Sequence, residues 1–129
     1  MEKVKRRKKI DISPNELNEI IVDLIQDRKG KDIKSLHLEA IPEAVTDYFI
    51  ICNGDSSTQV RAIADHIEED LKEKRGIRAF HVEGKSYGEW CLLDYGSIIV
   101  HVFTKEKRDY YQLEELWCDA KIKEYENIN

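Results

Sequence analysis

Gly54-Asp55-Ser56-Ser57 stands where an apolar run gives way to a helical pattern, and such a turn could cradle a phosphate with backbone N–H groups and the helix dipole. Phosphoryl transfer on two metals would also need clustered carboxylates. The chain contains no Asp-x-Asp, and its Glu68-x-Asp70 and Glu124-x-Glu126 pairs fall on helical or tail segments, so the turn reads as a plain helix cap. His37, His81 and His101 all fall on predicted strands and could gather three imidazoles around zinc, but isolated histidines on strands are more commonly buried or rim residues. A Ser or Cys nucleophile paired with one of them stays open, although no G-x-S-x-G or other local signature supports it. Cys52, Cys91 and Cys118 are odd in number, lack C-x-x-C spacing and sit among apolar neighbours, which reads as reduced packing residues. No catalytic residue, metal or cofactor is expected.

The remaining chemistry is recognition. Between Glu89 and Phe103 two apolar runs pivot on Asp94-Tyr95-Gly96-Ser97, where Gly96 supplies the positive φ of a tight turn, so the stretch reads as a β-hairpin. Along its first strand Trp90, Leu92 and Asp94 point one way and Cys91 and Leu93 the other, which sets an indole and a carboxylate together beside the turn. Trp90, Asp94 and Tyr95 are the expected partner contact, with Leu92 on the same face and Glu83 and Glu89 close by. The indole would be the anchor and Asp94 would face a Lys or Arg. Tyr110, Tyr111 and Trp117 add aromatics near this face, with core packing as the competing role for Tyr110 and Trp117.

These residues need elements to position them. Ser13-Pro14-Asn15-Glu16 has the form of a capping box with proline at the first helical position, and Leu17, Ile20, Ile21, Leu24 and Ile25 keep helical spacing until Gly30. Asp32 to Glu39 reads as a strand before Pro42, and Thr46 to Gly54 as a stronger, interior one. After the Asp55-Ser56-Ser57 cap, Val60, Ile63, Ala64, Ile67 and Leu71 mark a second helix closed by Gly76. Ala79 to Val82 is a short strand, and the glycines of Glu83 to Gly88 predict a mobile loop. Ile98 to Phe103 has one polar residue in six, which suits a strand covered on both faces. Lys105 to Tyr125 is predicted helical, with Tyr110, Leu113, Leu116, Trp117 and Ala120 on one face.

The 129 residues, 41 % of them hydrophobic, fit one core, and no apolar run approaches a membrane span. The start is charged, without the apolar stretch of a signal peptide, so a soluble, cytoplasmic protein is expected. Charge is uneven. Lys3, Lys5, Arg6, Arg7, Lys8 and Lys9 against Glu2 give +5 in the first nine residues, which leaves −10 on the rest of a chain whose net charge is −5. Residues 1–12 therefore read as a basic extension able to touch RNA phosphates, residues 13–120 as an acidic domain suited to a basic protein surface, and residues 121–129 as a polar tail.

Thr46-Asp-Tyr-Phe-Ile-Ile-Cys-Asn-Gly-Asp-Ser-Ser57, Gln59-Val60 with Ile63-Ala64-Asp65, Glu83-Gly84, Glu89-Trp90, Leu93-Asp94-Tyr95-Gly96, Val100-His101-Val102-Phe103, Tyr111-Gln-Leu-Glu114 and Leu116-Trp117 recur in an order and spacing that resemble the ribosomal silencing factor family, also called RsfS or Iojap-like. The resemblance runs from about Asn15 to Ala120. It implies an α/β fold, a five-stranded mixed sheet flanked by helices, related to the nucleotidyltransferase superfold without its catalytic carboxylates. It further implies a non-enzymatic homodimer that binds the large ribosomal subunit through its protein number fourteen (uL14) and blocks subunit joining. Two rival readings are a residual nucleotide-binding or nucleotidyltransferase-type enzyme using the Gly54 turn, and an RNA-binding module acting through the basic extension.

Overall fold

The computed structural model describes residues 12–42 and 44–128. In chain order these form α1 (Pro14–Asp27), β1 (Lys31–His37), β2 (Tyr48–Gly54), α2 (Ser57–Arg75), β3 (His81–Glu83), β4 (Trp90–Asp94), β5 (Ile98–Thr104), α3 (Lys105–Tyr111), α4 (Leu113–Leu116) and β6 (Lys121–Glu124). The architecture is mixed α/β. One sheet runs β3-β4-β5-β2-β1-β6, with β2 parallel to β5 and every other neighbouring pair antiparallel. The resemblance implies five strands and the sheet has six. The Met1–Lys9 extension lies outside the described residues.

Local chemistry explains the two long helices. The Ser13 hydroxyl accepts from Glu16 N at 3.1 Å while Ser13 N donates to the Glu16 carboxylate at 3.2 Å, so the capping box satisfies two otherwise orphaned donors at the start of α1. At the start of α2 the Ser56 hydroxyl accepts from Gln59 N, and Gly76 closes the helix in the left-handed region. Gly30 is not the stop of α1 that its position suggests. Lys29 takes the positive φ of 62°, and Gly30 is required because a Cβ there would lie 2.3 Å from Ile25 Cγ2.

The sheet separates two apolar layers. On one side Leu17, Ile21, Leu24 and Ile25 of α1 and Val60, Ile63, Ile67 and Leu71 of α2 pack on Ile50, Cys52, Cys91, Leu93, Val100 and Val102. On the other, Leu36, Leu38, Phe49, Ile51 and Phe103 form a smaller cluster covered by Ile41, Ala44, Leu113, Trp117 and Ala120. All seven residues of β2 are buried, as the continuous apolar run predicts for an interior strand.

Two expectations fail after β5 and before β4. The helix predicted from Lys105 to Tyr125 breaks at Gln112, which takes φ 47° and ψ 50°, and Lys121–Glu124 leaves the helical path to pair with β1. Tyr110 and Leu116 consequently point to solvent, while Leu113, Trp117 and Ala120 keep the inward role. The 83–88 loop is tied down rather than loose: Arg61 donates to the carbonyls of Lys85 and Ser86, and the Lys85 ammonium sits between Asp65 and Glu68. Cys118 is exposed, unlike Cys52 and Cys91.

Arg108 fixes the C-terminal half against the sheet. Buried at 6 % exposure, it donates to the Asp32 carbonyl, to Asn53 Oδ1 at 2.8 Å and to the Glu114 carboxylate at 2.8 Å, so one guanidinium joins β1, β2, α3 and α4. Burial pushes the Glu114 carboxyl up, but the hydrogen bond and charge of Arg108 outweigh it and hold that group below its ordinary value. Arg108→Met removes these donors and leaves Glu114 and Asn53 partly desolvated, so urea denaturation is expected to show a loss on the order of 2 to 4 kcal/mol. An unchanged midpoint would show that the network contributes no net stability.

Candidate partner-binding face

Directly opposed residues in a sheet share a face, so register decides what surrounds Trp90. Trp90, Leu92 and Asp94 of β4 stand opposite Phe103, His101 and Ile99 of β5, and these in turn neighbour Asn53, Ile51 and Phe49 of β2. This is the face turned away from α1 and α2. The short α3 and α4 cover only part of it. Trp90, Leu92, Asp94 and Ile99 are half-buried at its open end, and Tyr111, Tyr110 and Leu116 are exposed at the rim.

Trp90 belongs to both core and surface. Its ring stacks on Phe103 at 4.9 Å between centroids and meets Tyr111 at 4.7 Å, while its Nε1–H donates to His101 Nδ1 at 3.1 Å. His101 is buried, and desolvation holds its imidazole down at about 4, so it is neutral at physiological pH. Asp94 is half-engaged, since Oδ1 accepts from Gly96 N at 2.8 Å and so closes the turn in which Gly96 adopts φ 84°. Asp94 stands on the same face as the indole, at the other end of β4 with Leu92 between them.

The other expected contact residues divide. Leu92 shares the open face, and exposed Glu83 joins it through the β3–β4 register, where Glu83 stands opposite Leu92 and bonds His81. Glu89 is exposed one residue before Trp90 and approaches Lys107 at 3.7 Å. Tyr95 does not belong to the surface. It is 1 % exposed within the helix-covered layer, so no partner reaches its side chain without local opening. Alternation already carries this signal, because residue 95 has the parity of Cys91 and Leu93. Ile99, His101 and Tyr111 are the members of this face that the sequence reading leaves out of the contact, and counting back from the turn pairs 99 with 94 and 101 with 92.

The residues of the rival sites have local structural partners. At Gly54-Asp55-Ser56-Ser57 the Asp55 N–H is taken by Gln59 Oε1, the Gln59 N–H by Ser56 Oγ, and the Asp55 carboxylate pairs with Lys31 at 3.2 Å, so the turn serves as a helix cap. His37, His81 and His101 stand on β1, β3 and β5 with separate neighbours: Tyr48, Glu83 and Trp90. A cleft of about 740 Å³ beyond Arg108 is lined by residues of both charges, including Lys34, Lys105, Asp109, Glu115 and Glu124. Among the described residues no helix is long and apolar enough to cross a membrane.

Fold and site together define a mixed α/β domain with one sheet face sealed by helices and the other open around an aromatic and acidic cluster. Residues 11–129 match the family described as "Ribosomal silencing factor during starvation" (RsfS), a span that includes the residues after Lys121. The chain belongs to this family. It is 37 % identical to the ribosomal silencing factor of Halalkalibacterium halodurans over 91 % of its own length and 98 % of that protein. A mouse protein named for mitochondrial assembly of the ribosomal large subunit is 30 % identical over 77 % of this chain and 44 % of its own. A crystal structure of a Chromobacterium violaceum protein, 36 % identical, superposes with a TM-score of 0.78 over 83 % of this chain and 88 % of that one.

The buried His101 makes a prediction about acid stability. Its folded value near 4 lies below the roughly 6.5 of an exposed imidazole, so between these the unfolded chain binds more protons. The associated stability is complete above pH 6.5 and is lost as the pH falls toward 4, a change on the order of 3 kcal/mol. Urea titrations of His101→Phe across this range should therefore give a flatter profile than the unaltered chain. Parallel profiles would show that His101 titrates normally.

Proposed function

We propose that this chain binds the large ribosomal subunit through its protein number fourteen and, by occupying the joining face, keeps the small subunit from docking. The observation that carries the reading is the open sheet face: Trp90, Leu92 and Ile99 offer half-buried apolar anchors beside the charge of Asp94, with Glu83 and Glu89 flanking them. Residues 10–129 carry −10, which speeds encounter with a basic ribosomal protein while the desolvated aromatics supply most of the affinity. Family membership and the large-subunit wording of the mouse relative's name support a partner on that subunit. The action is steric, with no covalent step. The basic Met1–Lys9 segment adds screened contacts to rRNA phosphates.

Sedimentation through sucrose gradients tests this directly. The protein should travel with large subunits, be absent from small ones and lower the yield of joined ribosomes when the two are mixed. Equal association with joined ribosomes would rule out exclusion. Trp90→Ala should weaken binding by on the order of 2 to 4 kcal/mol. It also unpacks Phe103 and Tyr111, so Asp94→Asn is the cleaner partner variant: it keeps the Oδ1 acceptor for Gly96 N and removes only the charge. Asp94→Asn is expected to bind more weakly with an unchanged melting temperature, and full binding by both variants would remove this face from the mechanism.

A second measurement addresses the extension. Deleting Met1–Lys9 should lower affinity for large subunits modestly and flatten its dependence on salt, because fewer counterions are released. Complete loss of binding would place the main contact in that segment instead.

A further inference from the structure

We propose that His101 is a positioning residue that sets the orientation of the Trp90 indole for docking, an inference that rests on the reading of Trp90 as a partner anchor. His101 stands mid-sheet on β5, between Leu92 of β4 and Ile51 of β2, and is 4 % exposed. An aliphatic side chain would fill such a place without burying a polar atom. Histidine does carry that penalty here, since its Nε2 is buried with no hydrogen-bond partner among the described residues. Its other nitrogen, Nδ1, accepts from Trp90 Nε1. That bond requires the neutral tautomer with the proton on Nε2, so the unmatched atom is the N–H that the tautomer imposes. The arrangement gives up one hydrogen bond and retains the one to the indole.

The other contacts of Trp90 cannot do this work. Phe103 lies nearly parallel to the indole, at an interplanar angle of 29°, and Tyr111 is tilted against it at 47°. Stacking of this kind fixes the plane of a ring, yet it discriminates poorly between the two broad χ2 states that exchange its edges. Only one of these states brings Nε1 to His101. The hydrogen bond therefore chooses which edge faces outward. With its single polar group engaged by His101, the indole presents hydrocarbon to the partner, so the complementary pocket is apolar and needs no acceptor for the N–H.

A double-mutant cycle on binding to purified large ribosomal subunits separates positioning from general packing. Trp90→Phe, His101→Phe, their combination and His101→Asn are compared, the last because its Oδ1 stands near the place of Nδ1. His101→Phe should weaken binding roughly 3- to 10-fold in the native background and leave it unchanged once Trp90 is Phe. His101→Asn should recover most of the loss. In ¹⁵N spectra, where Trp90→Phe identifies the resonance, exchange of the Trp90 indole N–H with water should be fast in His101→Phe and slow in His101→Asn. Should His101→Phe fail to fold, His101→Leu takes its place in the cycle. Independent, multiplicative losses from the two single variants would overturn the inference, as would slow indole exchange in the absence of an acceptor. If Trp90→Ala leaves binding intact, the docking reading itself has failed; if Trp90→Ala weakens binding but the cycle shows no coupling, only the role of His101 is lost.

Discussion

The parallel pairing of β2 with β5 is the constraint on which the structure depends. It places both strands in the interior of the sheet and leaves every residue of β2 buried. Both faces must then be covered, and the chain has two long helices to do it. Both lie on the same side, because the apolar stripes of α1 and α2 pack together over one layer. The opposite layer is left to α3, α4 and the loop that supplies Ile41 and Ala44. That cover reaches β4 only at one end, through Tyr111 against Trp90. The open end around Trp90 is what remains when a strand pair that demands two covered faces is given one and a half.

Where local chemistry and tertiary packing agree, the fold is legible in the sequence. The capping box at Ser13, the periodic apolar residues of α2, the continuous run of β2 and the Gly96 hairpin each contain their own instruction within a few residues. The sixth strand contains none. Lys121-Ile-Lys-Glu124 is polar and pairs because β1 offers a free edge, an instruction stored far away in the chain, in the register that matches Lys34 with Glu124. The break at Gln112 is equally silent, since a non-glycine residue in the left-handed region is selected by its neighbours in space: Arg108 binds Glu114 across the turn and holds the chain in its new direction. The C-terminal residues are then secured by contacts just as distant, with the Tyr125 hydroxyl donating to Glu19 at 2.7 Å and accepting from Asn18 at 3.0 Å.

The make-up of the open face is legible in the same measure. Alternation along β4 places Trp90, Leu92 and Asp94 together and, applied one residue further, sends Tyr95 to the core. What alternation does not reveal is that Trp90 is itself part of the smaller apolar layer. Interface and core are not exclusive roles here, because the ring has two surfaces. The inner one adheres to Phe103 and Tyr111, and the outer one is the surface that the proposed docking would use.

This double duty reflects how binding energy is obtained. A fully exposed tryptophan would lose rotamer freedom on association, and the hydrocarbon surface it buries would have to offset that loss. A tryptophan already stacked on one side and hydrogen-bonded at Nε1 has little left to lose, so burying its outer surface contributes more fully to affinity. On the proposed reading, the open end of the sheet is stable alone because half of its anchor is core, and able to bind because the other half is not. An acidic surface completes the proposed arrangement without adding to the apolar contact: Asp94, Glu83 and Glu89 would favour a basic partner in the approach and disfavour another copy of the same acidic face.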